Sequence, residues 1–259
     1  MRGSITSNMA KIGLALSGGG SRCFAQLGAM AYFEEKGIKV SAISGSSAGS
    51  IIAGLYASGM SVEDIYLKLK EIDYKSHLRY NIKNGSLYHL KEAIYNFQQI
   101  FGVKDIEDFK IPYYCCVTNY ENGEVEYLNR GEMVTLMTAS CSLVPLFAPI
   151  EYGDKIYIDG GYCDNLPTKP LAQICDHIIG INVNPISNYI NYSFKSHLAR
   201  SMFIMLNHNI KFGKKECDLF IEIKEMGRYS IFDLKNFELF FDFGYNEAKK
   251  YDSEIERLL

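Results

Sequence analysis

The 259 residues carry 27 Lys and Arg against 30 Asp and Glu, a net charge of −3 that argues against nucleic acid as the main partner. At 47% hydrophobic and 22% charged, the composition is that of a globular chain long enough to bury one sizeable core. Seven cysteines, an odd number without zinc-type spacing and several within apolar runs, read as small core residues in a reducing compartment and point to the cytoplasm.

In chain order, residues 1–8 show no periodicity and read as a disordered extension or an expression remnant, leaving 9–259 as one domain. Neither a secretory apolar core nor a Pro/Ser-rich linker is visible. Residues 11–17 are short, apolar and bounded by turn signals, which predicts a buried strand. The loop Gly18-Gly19-Gly20-Ser21-Arg22 follows, then a predicted helix over 23–36 ended by Gly37. A second strand is predicted over 40–44, leading through Gly45-Ser46-Ser47-Ala48-Gly49 into a helix over 50–58 ended by Gly59. Strand, helix, strand, helix within 60 residues implies an α/β protein with a mostly parallel sheet covered by helices. Ligands gather at the carboxyl ends of such strands, where both glycine-rich turns fall. Residues 40–62 carry no charge and match a bilayer span in length, but seven serines and four glycines make them a poor insert.

Ser61 heads a capping box, and Val62, Ile65, Leu69 and Ile72 share a helical face. Residues 73–85 read as a polar connection and 87–101 as a helix. A strand over 111–119, a hairpin turn at Asn122-Gly123 and a strand over 124–128 follow. A helix is predicted over 132–142, a loop over 145–149, a small hairpin about Gly153-Asp154 and a strand at 155–159 that runs into Gly160-Gly161. The rest reads as a helix at 169–175, a strand at 177–183, a late strand at 218–223 and a final helix at 237–258. Residues 177–215 hold five Lys or Arg and no acid, with Phe194, Leu198, Met202, Leu206 and Ile210 recurring every four positions. That stripe is read first as a helix packed on the core. Its alternative is peripheral membrane contact through 193–215, the basic face meeting anionic headgroups.

Ser47 sits where a sharp strand-to-helix turn would expose its hydroxyl at a helix N-terminus, with flanking glycines removing obstructive Cβ atoms. Small residues at this spacing also mark tight helix–strand packing, but the place between strand and helix favours a nucleophile. The Gly18–Gly20 loop does not fit a dinucleotide fingerprint, because Cys23 replaces the third glycine and no acid ends the second strand. Beside a nucleophile, its N–H groups suit an oxyanion hole. None of the histidines (77, 89, 177, 197, 208) stands at a strand end among turn glycines. Asp159 does, although a turn aspartate explains that position equally well. As a base it would need burial to lift its pKa. No His, Cys or carboxylate cluster has metal-ligand spacing, so neither metal nor cofactor is expected.

Together, Gly18-Gly19-Gly20-Ser21-Arg22, Gly45-Ser46-Ser47-Ala48-Gly49 and Asp159-Gly160-Gly161 resemble the patatin-like phospholipase family. The resemblance continues through Ala139-Ser140-Cys141-Ser142, Asp164-Asn165 and Phe243-Gly244-Tyr245. It implies a three-layer α/β/α fold and hydrolysis of phospholipid or lysophospholipid acyl esters by a Ser47–Asp159 dyad. It further implies an oxyanion hole at Gly18, Gly19 and Gly20 with Arg22 at the loop's basic position, supported by Gly45, Gly49, Gly160 and Gly161. Cys23 departs from the family's loop glycine and is expected to fit as the first turn of a helix. The alternatives are an esterase or thioesterase for small acyl substrates and a catalytically weak lipid-binding module.

Overall fold

The computed structural model describes residues 10–73, 79–80, 85–186 and 193–258. The expected extension at 1–8 and His77 lie outside them. Ten strands are described: β1 (Ile12–Leu16), β2 (Val40–Ser46), β3 (Arg79–Tyr80), β4 (Tyr88–His89), β5 (Tyr113–Asn119), β6 (Val125–Leu128), β7 (Ile150–Tyr152), β8 (Lys155–Asp159), β9 (His177–Asn182) and β10 (Leu219–Glu222). The ten described α-helices are α1 (Phe24–Glu35), α2 (Ala48–Ala57), α3 (Val62–Glu71), α4 (Lys91–Phe101), α5 (Met133–Ser140), α6 (Lys169–Ala172), α7 (Phe194–Asn207), α8 (Ile210–Glu216), α9 (Phe237–Lys249) and α10 (Asp252–Glu256).

Eight strands form one sheet in the order β10-β9-β1-β2-β5-β8-β7, with β6 also paired to β5. From β10 to β5 the strands are parallel, and the remaining pairings are antiparallel. The sheet is thus mixed, with its parallel half carrying both glycine-rich turns. Side chains alternate across it as a two-residue repeat requires. Ile12, Leu14, Leu16 and Ile43 join the larger core with residues of α1, α2, α3, α5 and α9. Ala15 and Ala42 face the other way, to a smaller core with Leu171 of α6 and Ile210 of α8. Helices therefore cover both faces, in the three layers the resemblance implies. Each buried aliphatic side chain contributes about 1.5–3 kcal/mol on leaving water.

The inner helix α1 is apolar on nearly every side because α9 packs over it. Their crossing depends on glycine: a Cβ on Gly244 would lie 1.7 Å from the Ala25 carbonyl oxygen. That contact accounts for the Phe243-Gly244-Tyr245 stretch.

Several predicted helices change length. The helix expected at 87–101 begins only at Lys91, because the main chain of 87–88 pairs with the 145–148 loop. Tyr88 N–H donates to the Leu146 carbonyl at 2.9 Å, and Ala148 N–H donates to the Tyr88 carbonyl at 2.8 Å. The helix expected at 169–175 ends at Ala172. The final helix splits where its turns tighten, Lys250 N–H reaching the Glu247 carbonyl and Tyr251 N–H the Ala248 carbonyl. The four-residue stripe at 194–210 spans a break between α7 and α8, where Asn209 turns inward. Ile210 is buried, Met202 and Leu206 are half-buried, and Ile204, Met205 and Phe212 are exposed. The side chains of Phe194 and Leu198 lie outside the described residues. Among the described residues, no helix is long and apolar enough to cross a membrane.

Candidate active site

β2 delivers Ser47 to the carboxyl edge of the sheet, and α2 starts immediately after it. Ser47 has φ 50° and ψ −133°, a conformation L-residues rarely hold, and among the described residues it is the only non-glycine with positive φ. Both of its peptide groups are tied. Ser47 N–H donates to Ser140 Oγ at 2.8 Å, and the Ser47 carbonyl accepts from Ser50 Oγ at 2.6 Å and Ser50 N–H at 2.8 Å. Ser140 Oγ in turn donates to the Cys116 carbonyl at 2.6 Å. The flanking glycines let the turn close: a Cβ on Gly45 would sit 2.4 Å from the Gly49 carbonyl oxygen, and one on Gly49 2.4 Å from that of Ser17.

Ser47 Oγ donates a 2.6 Å hydrogen bond to Asp159 Oδ2. Asp159 closes β8, and its other oxygen accepts from Gly161 N–H at 2.8 Å. Thr118 Oγ1 holds the Asp159 carbonyl at 3.0 Å. Gly160 lies against β5, since a Cβ there would meet the Cys116 carbonyl oxygen at 2.2 Å. Asp159 is 4% exposed, and burial pushes its pKa up to about 6 against the opposing pull of the Ser47 and Gly161 hydrogen bonds. The turn-aspartate and base readings are compatible, one carboxylate oxygen serving each.

The glycine loop comes up beside Ser47. A Cβ on Gly18 would lie 2.8 Å from Ser47 Cβ, so glycine is needed for the approach. Its own N–H is engaged, donating to Asn165 Oδ1 at 3.0 Å. The N–H groups of Gly19 and Gly20 make no hydrogen bond among the described residues. Ala48, at the first position of α2, presents a further N–H without an intrahelical partner. Asn184 Nδ2 donates to the Gly18 carbonyl. Because the two ends of a trans peptide point oppositely, that bond fixes the direction of the Gly19 N–H.

Arg22 is buried, and its guanidinium points away to support the loop from behind. Nε donates to the Tyr229 carbonyl at 2.9 Å, Nη2 to the same carbonyl, and Nη1 to Asn184 Oδ1 at 3.5 Å. Burial pushes its pKa down to about 10, leaving it charged at neutral pH. Cys23 has φ −62° at the start of α1, so the helical-turn expectation holds and no strain arises. Its Sγ approaches the Ser17 carbonyl at 3.6 Å, and burial pushes the thiol pKa up.

Among histidines, His177 pairs with Asp218 at 3.4 Å at the opposite, amino end of β9, and His208 meets Lys211. Neither serves Ser47. Among the described residues, no group of three or more His, Cys, Asp or Glu is placed to hold a metal ion.

Ser47 and Asp159 open onto a cavity of about 270 Å³. Phe24, Ile51, Ile52, Leu90, Phe97 and Phe147 are among its walls, and among the described residues Asp159 is the only ionisable carboxyl or amino group lining it. Sequence reasoning singled out Ser47 and Asp159 at one end and missed the body of the cavity, whose walls come from α2, α4, the 143–147 loop and the 231–237 segment. It also missed Asn184, which no motif marks. Ser140 and Asn165 stood in stretches that carried the resemblance, without a role.

The model of the patatin-like phospholipase family matches residues 14–172. The lysophospholipase NTE1 of Meyerozyma guilliermondii is 30% identical over 217 residues, covering 81% of this chain and 15% of that protein. The lysophospholipase NTE1 of Saccharomyces cerevisiae is 35% identical over 181 residues, covering 66% of this chain and 11% of that protein. The chain thus spans a small part of the length of these curated relatives. Among solved structures, VipD from Legionella pneumophila superposes with a TM-score of 0.60 at 13% identity, covering 95% of this chain and 67% of that one, a likeness of fold.

Proposed function

From the chain's membership of the patatin-like phospholipase family, we propose that it hydrolyses fatty-acyl esters of phospholipids or lysophospholipids by two-step acyl transfer at Ser47. One observation carries this reading: the 2.6 Å hydrogen bond from Ser47 to the buried Asp159 at the end of an apolar cavity. Asp159 Oδ2 takes the Ser47 proton as Oγ attacks the ester carbonyl carbon. The negative charge on the carbonyl oxygen is met by the N–H groups of Gly19, Gly20 and Ala48, while Gly18 contributes shape instead of a donor. The alcohol leaves with the proton from Asp159. Water, giving a proton to the same carboxylate, then attacks the acyl-serine, and Asp159 passes that proton to Ser47 Oγ as the acyl–oxygen bond breaks and the fatty acid is freed. Raising the Asp159 pKa to about 6 strengthens it as a base while leaving it ionised at neutral pH.

Chain length tests the substrate class. Each buried methylene adds about 0.8 kcal/mol, so extending the acyl group from four to eight carbons is expected to raise kcat/KM roughly 10²-fold. A flat or falling series, measured on soluble esters with one leaving group, would instead fit a small-acyl esterase. Asn184 is expected to act as a positioning residue. Asn184→Leu frees the Gly18–Gly19 peptide and lowers kcat by about 10²-fold with little change in KM. Equal loss in both parameters, or none, would show that Asn184 only packs.

A further inference from the structure

Asn209 stands at the junction of α7 and α8, where the four-residue apolar stripe breaks. Asparagine just before a helix ordinarily turns its side chain onto the free N–H groups of the first turn. Asn209 makes no such cap. Its carboxamide reaches across the fold to the segment after β8. Oδ1 accepts from Asn165 N–H at 2.8 Å, and Nδ2 donates to the Gly161 carbonyl at 3.0 Å and to that of Tyr162 at 3.5 Å. Among the described residues, Asn209 is the only partner of the Asn165 N–H. The two ends of this amide serve the two halves of the site. Asn165 holds the Gly18 N–H, through Oδ1 at 3.0 Å and through its carbonyl at 3.3 Å. Gly161 N–H donates to Asp159 Oδ1 at 2.8 Å, and the backbone of Gly161, soft for want of a Cβ, is restrained by the bond to its carbonyl. Both loops also crowd a common atom: a Cβ would lie 2.5 Å from Asn165 Oδ1 on Gly18, and 3.0 Å from it on Gly161. One turn before the junction, Phe203 packs against the Arg22 guanidinium at 5.4 Å, so α7 backs the glycine loop from a second direction.

Resting on the acyl-hydrolase reading, we propose that Asn209 is a positioning residue whose single carboxamide holds the glycine loop and the Asp159 carboxylate in register for acyl transfer. It does not line the catalytic cavity and acts through Asn165 and Gly161. The residue type follows from the two bonds. A carboxamide offers an acceptor and a donor on one plane, a carboxylate would meet the Gly161 carbonyl with a lone pair, and an aliphatic side chain makes neither bond. Without the bridge, the N–H donors shift relative to the acylated serine. Loosening Gly161 also weakens a hydrogen bond that favours the Asp159 carboxylate, so the base titrates at higher pH. The other titratable groups that interact with Asp159 are the thiols of Cys23, Cys115, Cys116 and Cys141 and the phenol of Tyr162. All are raised by burial and stay protonated in that range. The neighbouring Asn207 does not replace the bridge, because it meets only the Asn165 side chain, at 3.4 Å.

The test follows Asn209→Leu by kinetics on a soluble acyl ester, by pH profile and by residue-resolved amide hydrogen exchange. Turnover kcat is expected to fall about 10²-fold with KM kept within about twofold. The rise of kcat/KM with pH should move up by about half a unit. Exchange at the Gly18 and Gly161 amides should speed about tenfold while the β1 amides keep their wild-type rates. Asn209→Asp preserves size and the bond to Asn165, and it answers the question should the leucine variant fail to fold. It is expected to keep slow exchange at Gly18, to exchange faster at Gly161 and to show the upward pH shift. Unchanged kcat, an unmoved pH profile in both variants, or exchange raised equally across the sheet overturns the positioning role. If wild type releases no fatty acid while Asn209→Leu still speeds exchange at Gly18 and Gly161 alone, the hydrolase reading falls and the bridge between the two loops stands.

Discussion

Ser47→Ala is expected to leave the chain folded and to remove a factor of about 10³ or more from turnover on acyl esters, since the attacking oxygen is gone while the donors remain. Labelling by a fluorophosphonate should disappear with it, and wild-type protein should carry the label on Ser47 alone. Alanine inherits the backbone at φ 50°, with Ser47 N–H still bonded to Ser140 and the carbonyl to Ser50. The melting temperature should therefore move little. Ser47→Gly, equally inactive, should melt above the alanine variant, because glycine takes positive φ without the Cβ strain. Retained turnover in Ser47→Ala would place the chemistry on another group.

Asp159→Asn is expected to separate activity from stability. Without a base the rate should fall by about 10⁴-fold, yet the variant should be harder to melt at pH 8. The sign follows from linkage. Asp159 is raised by burial to about 6 in the folded chain and returns to an ordinary carboxylate value on unfolding, so the folded state binds its proton more tightly. Folding stability is consequently lost as pH climbs from about 4 through 6, and the full cost is present above that. The cost is roughly 2–3 kcal/mol, which a neutral amide avoids. The melting-temperature gain should amount to several degrees at pH 8 and vanish toward pH 4. For wild type, kcat/KM should rise about tenfold per pH unit up to about 6 and then level off. Tyr162, raised to about 12 by burial, and the raised thiols of Cys23 and Cys141 do not titrate in that window. A variant no more stable at pH 8 than wild type would mean that the carboxylate is better solvated than its burial indicates.

Local sterics made the glycine-rich turns around Ser47 and Asp159 readable in the chain alone. At Gly45 and Gly49 the carbonyl oxygens of Gly49 and Ser17 leave no room for a Cβ, and that steric requirement appears directly as residue type. The same holds for Gly18 beside Ser47 and for the Asp159-Gly160-Gly161 strand end. The short apolar runs of β1 and β2, bounded by turn signals, predicted buried strands, and with a core on each side of the sheet both of their faces are covered. These features depend on neighbours within a few residues, and short-range sterics and periodicity record them.

Only the tertiary structure decided which groups meet. It brings Ser47 to Asp159 across 112 positions of chain, and it commits the Gly18 N–H to Asn165, while those of Gly19 and Gly20 have no partner among the described residues. It sends Arg22 to the Tyr229 carbonyl and Asn184, an asparagine with nothing in its own surroundings to mark it. It shortens the 87–101 helix because the 145–148 loop takes the backbone hydrogen bonds of residues 87–88, and Phe147 of that loop then walls the cavity. The reason is common to all of these. A hydrogen bond or cavity wall made across the fold depends on where distant segments are brought together, and neither spacing nor composition along the chain carries that information.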